Sequence, residues 1–249
     1  MRRLARDRRA RDELGRFVVE GTKLVDLALA AGWVEEVYVT PALAERYPAG
    51  RDHTVALVEP GVLDKVLDTV TAQGVAAVAL AHHGTLDDVA IDGPILVLAG
   101  VGDPGNAGTL VRSAEAAGAS AVLFCDESVD PFSPKCVRAS AGSIFHVPVV
   151  SGGGCVHVLQ HLGARKVRRL GTSALAGEAY HEADLQPPVA LVLGSESHGL
   201  PGEVDAMLDG YVHIPMHGGT ESLNVGVAGS VVLFEIARQR AARQDDAGA

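Results

Sequence analysis

Ile95-Leu-Val-Leu-Ala-Gly-Val-Gly-Asp-Pro-Gly-Asn-Ala-Gly-Thr-Leu-Val-Arg-Ser-Ala-Glu-Ala-Ala-Gly-Ala-Ser-Ala-Val-Leu-Phe124 is the stretch on which the fold turns. Ile95 to Ala99 has no polar residue, the pattern of a strand buried on both faces; a strand with one wet face alternates. Gly100 to Gly108 reads as a turn, Thr109 to Ala117 as a helix closed by Gly118, and Ala121 to Phe124 as the next strand. That is βαβ grammar. It predicts an α/β domain with a largely parallel sheet and helices on its faces.

Two motifs near the strand ends invite specific chemistries, and both fit poorly. Gly100, Gly102 and Gly105 spell G-x-G-x-x-G, with Asp126 after the next strand, as in a dinucleotide fingerprint. Pro104 and Asn106 lengthen the turn, however, and the helix is read to begin only after Gly108. Gly194-Ser-Glu-Ser-His-Gly199 places serine, histidine and an acid together, but Glu196 occupies the position a nucleophile elbow gives to serine. A tight loop at a strand's carboxyl end is the better reading, and parallel sheets bind small molecules there.

Upstream, Arg2, Arg3, Arg6, Arg8, Arg9, Arg11 and Arg16 crowd a segment, 1–16, that reads as a mobile basic arm or frayed helix. Phe17 to Glu20 is an entry segment, Gly21 to Ala31 an amphipathic helix, Val34 to Val39 a strand, Leu57 to Val70 a helix entry and body, and Val75 to Leu80 a buried strand. This makes 17–88 a small α/β domain. The polar run from His82 to Pro94 is its linker to 89–249. Arg165, Lys166, Arg168 and Arg169 form a second basic cluster, either a solvated face or a phosphate contact. The chain is expected to fray after Arg240.

The chain's 249 residues are 47% hydrophobic and 21% charged, a globular composition. A formal net charge of −10 argues against a broad nonspecific nucleic-acid binder but leaves room for a local basic site. Cys125, Cys136 and Cys155 are odd in number and lack Cys-x-x-Cys spacing, which disfavours a disulfide scaffold or a cysteine-rich zinc site. The expectation is a soluble, cytoplasmic protein without a metal or a membrane partner.

Near the C-terminus, Tyr211 to Ile214 is a strand that Pro215 ends, Met216 to Ser222 a polar loop, and Leu223 to Ile236 a small-residue helix. Ser222 and Asn224 stand at the helix mouth, where they serve either a ligand site or a simple cap. Three polar loops, Asn106 to Arg112, Gly194 to Gly199 and Pro215 to Asn224, follow apolar strands. If they converge, the pocket suits a nucleoside-like ligand, with Arg112 and Glu196 as its charges.

Asn106-Ala-Gly-Thr-Leu-Val-Arg112, Leu193-Gly-Ser-Glu-Ser-His-Gly-Leu200 and Ile214-Pro-Met-His-Gly-Gly-Thr-Glu-Ser-Leu-Asn-Val225 resemble, in order, the three motifs of the SpoU/TrmH (SPOUT) family of RNA ribose 2′-O-methyltransferases. Arg138 to Pro148 is similar to the family's intervening segment, and Phe17 to Gly21 resembles the start of the small domain, related to a ribosomal-protein fold, that many members carry first. The resemblance implies a deep trefoil knot and S-adenosylmethionine as cofactor. It also implies a homodimer through the knotted domain and structured RNA, most of all 23S ribosomal RNA, as substrate. A transfer RNA substrate and a non-catalytic RNA-binding protein are the alternatives. Implied cofactor residues are Thr172, Ser173, Leu193, Gly194, Ser195, Glu196, Gly199, Ile214, Met216, Ser222 and Leu223. Implied catalytic residues are Arg112, Asn106, Glu196, Ser222 and Asn224, and RNA contacts are expected at Arg9, Arg11, Lys23, Arg112 and Arg138.

Overall fold

The computed structural model describes residues 1–67 and 73–248, and the chain opens with two ordered helices, α1 (Arg2–Arg6) and α2 (Arg8–Leu14). The Asp7 carboxylate accepts from the Arg9 N–H and caps α2, and Gly15 ends it at φ 60°. Leu4 and Ala10 are buried, and Leu4 packs with Val18, Leu63, Leu67, Ala76 and Val78. The mobile-arm expectation is thereby overturned: Leu4 and Ala10, with Met1 and Ala5 packed beside Leu4, seat this arginine-rich hairpin. Arg11 is corrected with it. It is 6% exposed and donates Nε–H to Asp130 Oδ2 at 2.5 Å, so it is not open to an RNA phosphate.

The small domain continues with β1 (Arg16–Glu20), α3 (Thr22–Ala30), β2 (Val34–Val39), β3 (Thr54–Leu57), α4 (Val62–Leu67) and β4 (Val75–Leu80). Its sheet has the order β1-β4-β2-β3. β4 is central and antiparallel to both neighbours, which accounts for its unbroken run of apolar residues. Leu57, read as a helix entry, instead ends β3; positions 68–70 of that reading lie outside the described residues.

The larger domain contains β5 (Ile95–Ala99), α5 (Pro104–Ala116), β6 (Ala121–Phe124), α6 (Pro134–Ala139), β7 (Val149–Ser151), α7 (Cys155–Ala164), β8 (Arg168–Ser173), β9 (Glu178–Ala179), β10 (Val189–Gly194), α8 (Gly202–Asp205), β11 (Gly210–His213) and α9 (Val225–Gly248). Its sheet runs β7-β6-β5-β10-β8-β11-β9, and every neighbouring pair is parallel. Side chains alternate across it as strand geometry requires. Ile95 and Val97 join Leu159 and Leu162 of α7, whereas Leu96 and Leu98 join Leu110 of α5 and Val232 of α9. β10 inserts between β5 and β8, two strands that precede it in the chain, and the strand order reverses there. Helix α9 runs on to Gly248, past the expected fraying point at Arg240.

Helix α5 starts at Pro104, not Thr109. Asp103 Oδ1 accepts the Asn106 N–H at 2.9 Å, and proline fits the first helical position because it has no N–H to leave unpaired. Gly105 therefore does lie in the first turn, yet a Cβ there would meet its own cap, Asp103 Oδ1, at 2.8 Å rather than the sheet. Gly108 is the close-packing glycine: its Cβ would lie 2.4 Å from Ala139 Cβ and 2.6 Å from Cys136 O. Gly108→Ala should push α6 away and cost about 1–3 kcal/mol, read as a lower midpoint in denaturant unfolding. An unchanged midpoint would mean that α6 yields freely.

The two domains share one core. Phe17 packs on Phe132 with ring centroids 4.8 Å apart, and Trp33 meets Phe145 edge-on at 5.3 Å. The connector is drawn into the same joint, His82 against Trp33 at 4.7 Å and His83 against Phe132 at 4.9 Å. Burial lowers the pKa of His83, which keeps its ring neutral against the phenyl face. Arg165 Nη1 donates to Val89 O at 2.7 Å, and Arg169 Nη2 bonds Asp209 Oδ1 at 2.7 Å. The second basic cluster is thus largely engaged in holding the connector and the sheet edge.

Candidate functional site

Three segments leave the carboxyl end of the large sheet and, with the start of α9, enclose a cavity of about 390 Å³. Thr172 and Ser173 end β8, and Gly194, Ser195, Glu196 and Gly199 follow β10. Ile214 and Met216 follow β11, while Ser222, Leu223 and Asn224 lead into α9. Ala174, Leu200, Val212, Glu221, Val225, Ala228 and Val232 also line it and were not foreseen. Val212 could have been found by strand alternation, and Ala228 and Val232 by their helical spacing from Asn224. Leu193, whose backbone was expected to cradle the cofactor, is not among the residues that line the cavity; its side chain is fully buried against α9, where a Cβ on Gly229 would lie 2.6 Å from its Cδ1.

The loop after β10 closes on itself. Ser195 and Gly199 exchange both backbone hydrogen bonds at 3.0 Å, with Gly199 at φ 67°. A Cβ on Gly194 would sit 2.5 Å from the Gly199 carbonyl, so only glycine lets the strand end approach this turn. Ser197 Oγ and His198 Nδ1 do meet, at 2.7 Å, although sequence neighbours were not expected to align. Among the described residues no acid holds that imidazole, so the pair lacks the third member of a hydrolytic triad.

At the cavity rim the three motifs become one hydrogen-bonded chain. Asn224 Oδ1 accepts the Gly226 N–H at 2.9 Å and caps α9, leaving its amide to donate to Asn106 Oδ1 at 3.0 Å. The Asn106 amide then donates to Glu196 Oε1 at 2.8 Å. Each amide uses both its donor and its acceptor, so the Glu196 carboxylate is held in place from α5 and α9 together. Lys135 bonds Asp103 at 2.9 Å and, with the Asn106 N–H, holds the Asp103 carboxyl below its usual range, keeping the α5 cap charged.

Arg112 stands apart. It lies along α5 from Asn106, exposed, outside the cavity lining and, among the described residues, without a hydrogen bond or ion pair. Arg9 and Lys23 are exposed, and Arg138, also exposed, bonds Glu20 at 3.1 Å. Cys125, Cys136 and Cys155 are free and buried. Among the described residues no group of His, Cys, Asp or Glu could hold a metal, and no helix is long and apolar enough to cross a membrane.

The SpoU rRNA methylase family model matches residues 93–234, the span that carries the cavity and the Asn106–Glu196–Asn224 chain. The protein belongs to this family. The model of an MRM3-like substrate binding domain matches residues 1–77, so the helical hairpin falls inside the small domain's match. A 23S rRNA guanosine 2′-O-methyltransferase of Bacillus subtilis, RlmP, is 32% identical over 92% of this chain and 91% of its own. An AdoMet-bound rRNA methyltransferase from Sinorhizobium meliloti superposes with a TM-score of 0.86 at 31% identity, covering 96% of this chain and 92% of the other. The SpoU methyltransferase AviRb from Streptomyces viridochromogenes, solved in complex with AdoMet, gives 0.85 at 27% identity over 96% of both chains. The cavity of this chain fits that cofactor. Its size is that of a small-molecule site, Val212, Ile214, Leu223 and Val232 supply apolar walls, and Thr172, Ser173, Glu196 and Ser222 supply hydrogen-bonding groups.

Proposed function

We propose that this protein transfers a methyl group from S-adenosylmethionine to a ribose 2′-hydroxyl of 23S ribosomal RNA in the cytoplasm. The observation that carries the reading is the Asn106–Glu196–Asn224 chain, which joins the three family motifs at the mouth of a cofactor-sized cavity. When bound, S-adenosylmethionine supplies an electrophilic methyl group on a sulfonium. Thr172 and Ser173 would face its adenine, and Ile214, Met216 and Leu223 would pack against it. Asn106 and Asn224 keep Glu196 fixed at the rim. Arg112 has no intramolecular partner among the described residues, so its guanidinium is available to the RNA. A guanidinium is already protonated at neutral pH and so does not accept the hydroxyl proton. Its role here is to orient the ribose hydroxyl or its phosphate by hydrogen bonds.

The remaining readings have separate supports. Insertion of β10 between two earlier strands supports a knotted C-terminal region. Val227 and Phe234, 49% and 52% exposed and two turns apart on α9, support a homodimer in which a second copy covers that face. We keep the domain boundary at 88/89 as our reading, and the exposure of Arg9, Lys23, Arg112 and Arg138 supports them as RNA contacts. The test is incubation with labelled S-adenosylmethionine and purified 23S rRNA or transfer RNA, followed by mapping of the modified nucleotide. Label at a ribose of 23S rRNA is the expected result. Label confined to transfer RNA would overturn the substrate, and binding of the cofactor without transfer to any RNA would overturn the activity.

A further inference from the structure

We propose that Arg11 is a positioning residue, which sets the catalytic motif of α5 from the small domain; the inference rests on the RNA methyltransferase reading above. Arg11 and Asp130 are both 6% exposed, and they meet across the two domains. Arg11 Nη1 also donates to Leu4 O at 2.6 Å, so a single guanidinium ties α1, α2 and the 128–133 segment of the large domain. Arg8 Nη1 adds a bond to Ser128 O at 3.2 Å. The aromatic joint nearby already supplies apolar adhesion, which has no directional preference. A buried ion pair does no better than apolar residues as adhesion, and its best-attested use is to fix register.

What it registers is the approach to the active site. The Ser128 hydroxyl donates to Leu98 O at 2.7 Å and accepts the Gly100 N–H at 2.9 Å, and Val129 N–H donates to Val101 O at 3.0 Å. The segment that Arg11 grips is therefore laced to the end of β5 and its turn. Two residues on from Val101, Asp103 caps α5 and receives the Asn106 N–H. Asn106 carries the hydrogen bonds to Glu196 and Asn224. Gly100 also abuts the cofactor loop, since a Cβ there would lie 3.7 Å from Ser195 Cβ. The position of the α1–α2 hairpin is relayed in this way to the start of α5 and to the loop after β10.

The experiment compares wild type, Arg11→Met, Arg11→Lys, the single changes Arg11→Asp and Asp130→Arg, and the reversed pair that combines them, using labelled S-adenosylmethionine and 23S rRNA below the melting temperature of each. Arg11→Met should lower kcat by at least about tenfold, because small misplacements near the reacting groups have large rate effects. Its S-adenosylmethionine Kd and the salt slope of RNA binding should stay at wild-type values. Arg11→Lys should recover part of the rate, and the reversed pair should exceed either of its single changes. A wild-type kcat in folded Arg11→Met overturns the proposal, as does a reduced salt slope, the mark of a lost phosphate contact. If Arg11→Met does not fold, Arg11→Lys decides: a full wild-type kcat overturns the coupling. Wild-type protein inactive on every RNA would instead remove the methyltransferase reading and leave the ion pair a structural fact.

Discussion

Replacing Arg112 by alanine should slow methylation by about 10²–10³-fold, the usual loss when a hydrogen-bond donor to the reacting group is removed. Cofactor affinity should stay within about twofold, because Arg112 lies outside the cavity lining. Stability should hardly change, since the side chain is exposed and has no partner among the described residues. Arg112→Lys keeps the charge but loses the planar fork, so an intermediate rate would assign the effect to geometry as well as charge. Single-turnover rates with calorimetric titration of S-adenosylmethionine separate these quantities. A normal rate in Arg112→Ala would remove it from the mechanism.

Gly194→Ala should act on the opposite quantity. A Cβ at this position would lie 2.5 Å from both the carbonyl carbon and oxygen of Gly199 and 2.8 Å from the Leu200 nitrogen, all backbone atoms that cannot swing aside. The loop must open, and the Ser195–Gly199 exchange of hydrogen bonds opens with it. Overpacking of this kind costs about 1–3 kcal/mol, which corresponds to roughly fivefold to 150-fold weaker cofactor binding if the cavity wall takes the whole strain. The same strain could instead spread into β10 and lower the unfolding midpoint. Calorimetric Kd and denaturant midpoint, measured on the same preparation, apportion it; wild-type values for both would show that the loop tolerates a methyl group.

The central parallel strands were legible because burial on both faces leaves no polar residue to confuse the reading; Ile95–Ala99 and Ala121–Phe124 were placed without error. The start of α5 was not. Gly105 and Gly108 are poor helix formers, and what keeps Gly108 in a helix is backbone contact with α6, a tertiary fact absent from any local window. The basic hairpin was misread for a similar reason, since Leu4 gains its burial from partners as distant as Ala76 and Val78. Arg165 and Arg169 read as either a solvated face or phosphate contacts, and neither reading includes the acceptors they find in the fold, Val89 O and Asp209. At the site, the residues of the hydrogen-bonded chain are 90 and 118 positions apart. Spacing could suggest that three polar loops converge, but only the family resemblance said which side chains in them act together.

The aromatic joint of Phe17, Trp33, Phe132 and Phe145 has a consequence for target choice. Domains on a slack tether can search many separations, and each productive encounter then carries the entropy of bringing them into line. Here that entropy is lost once, when the chain folds. The span from the small domain to the cavity mouth is set by this packing, so on the function proposed above the enzyme should behave as a caliper: an RNA whose target ribose lies at another distance from the feature gripped by the small domain should be the poorer substrate.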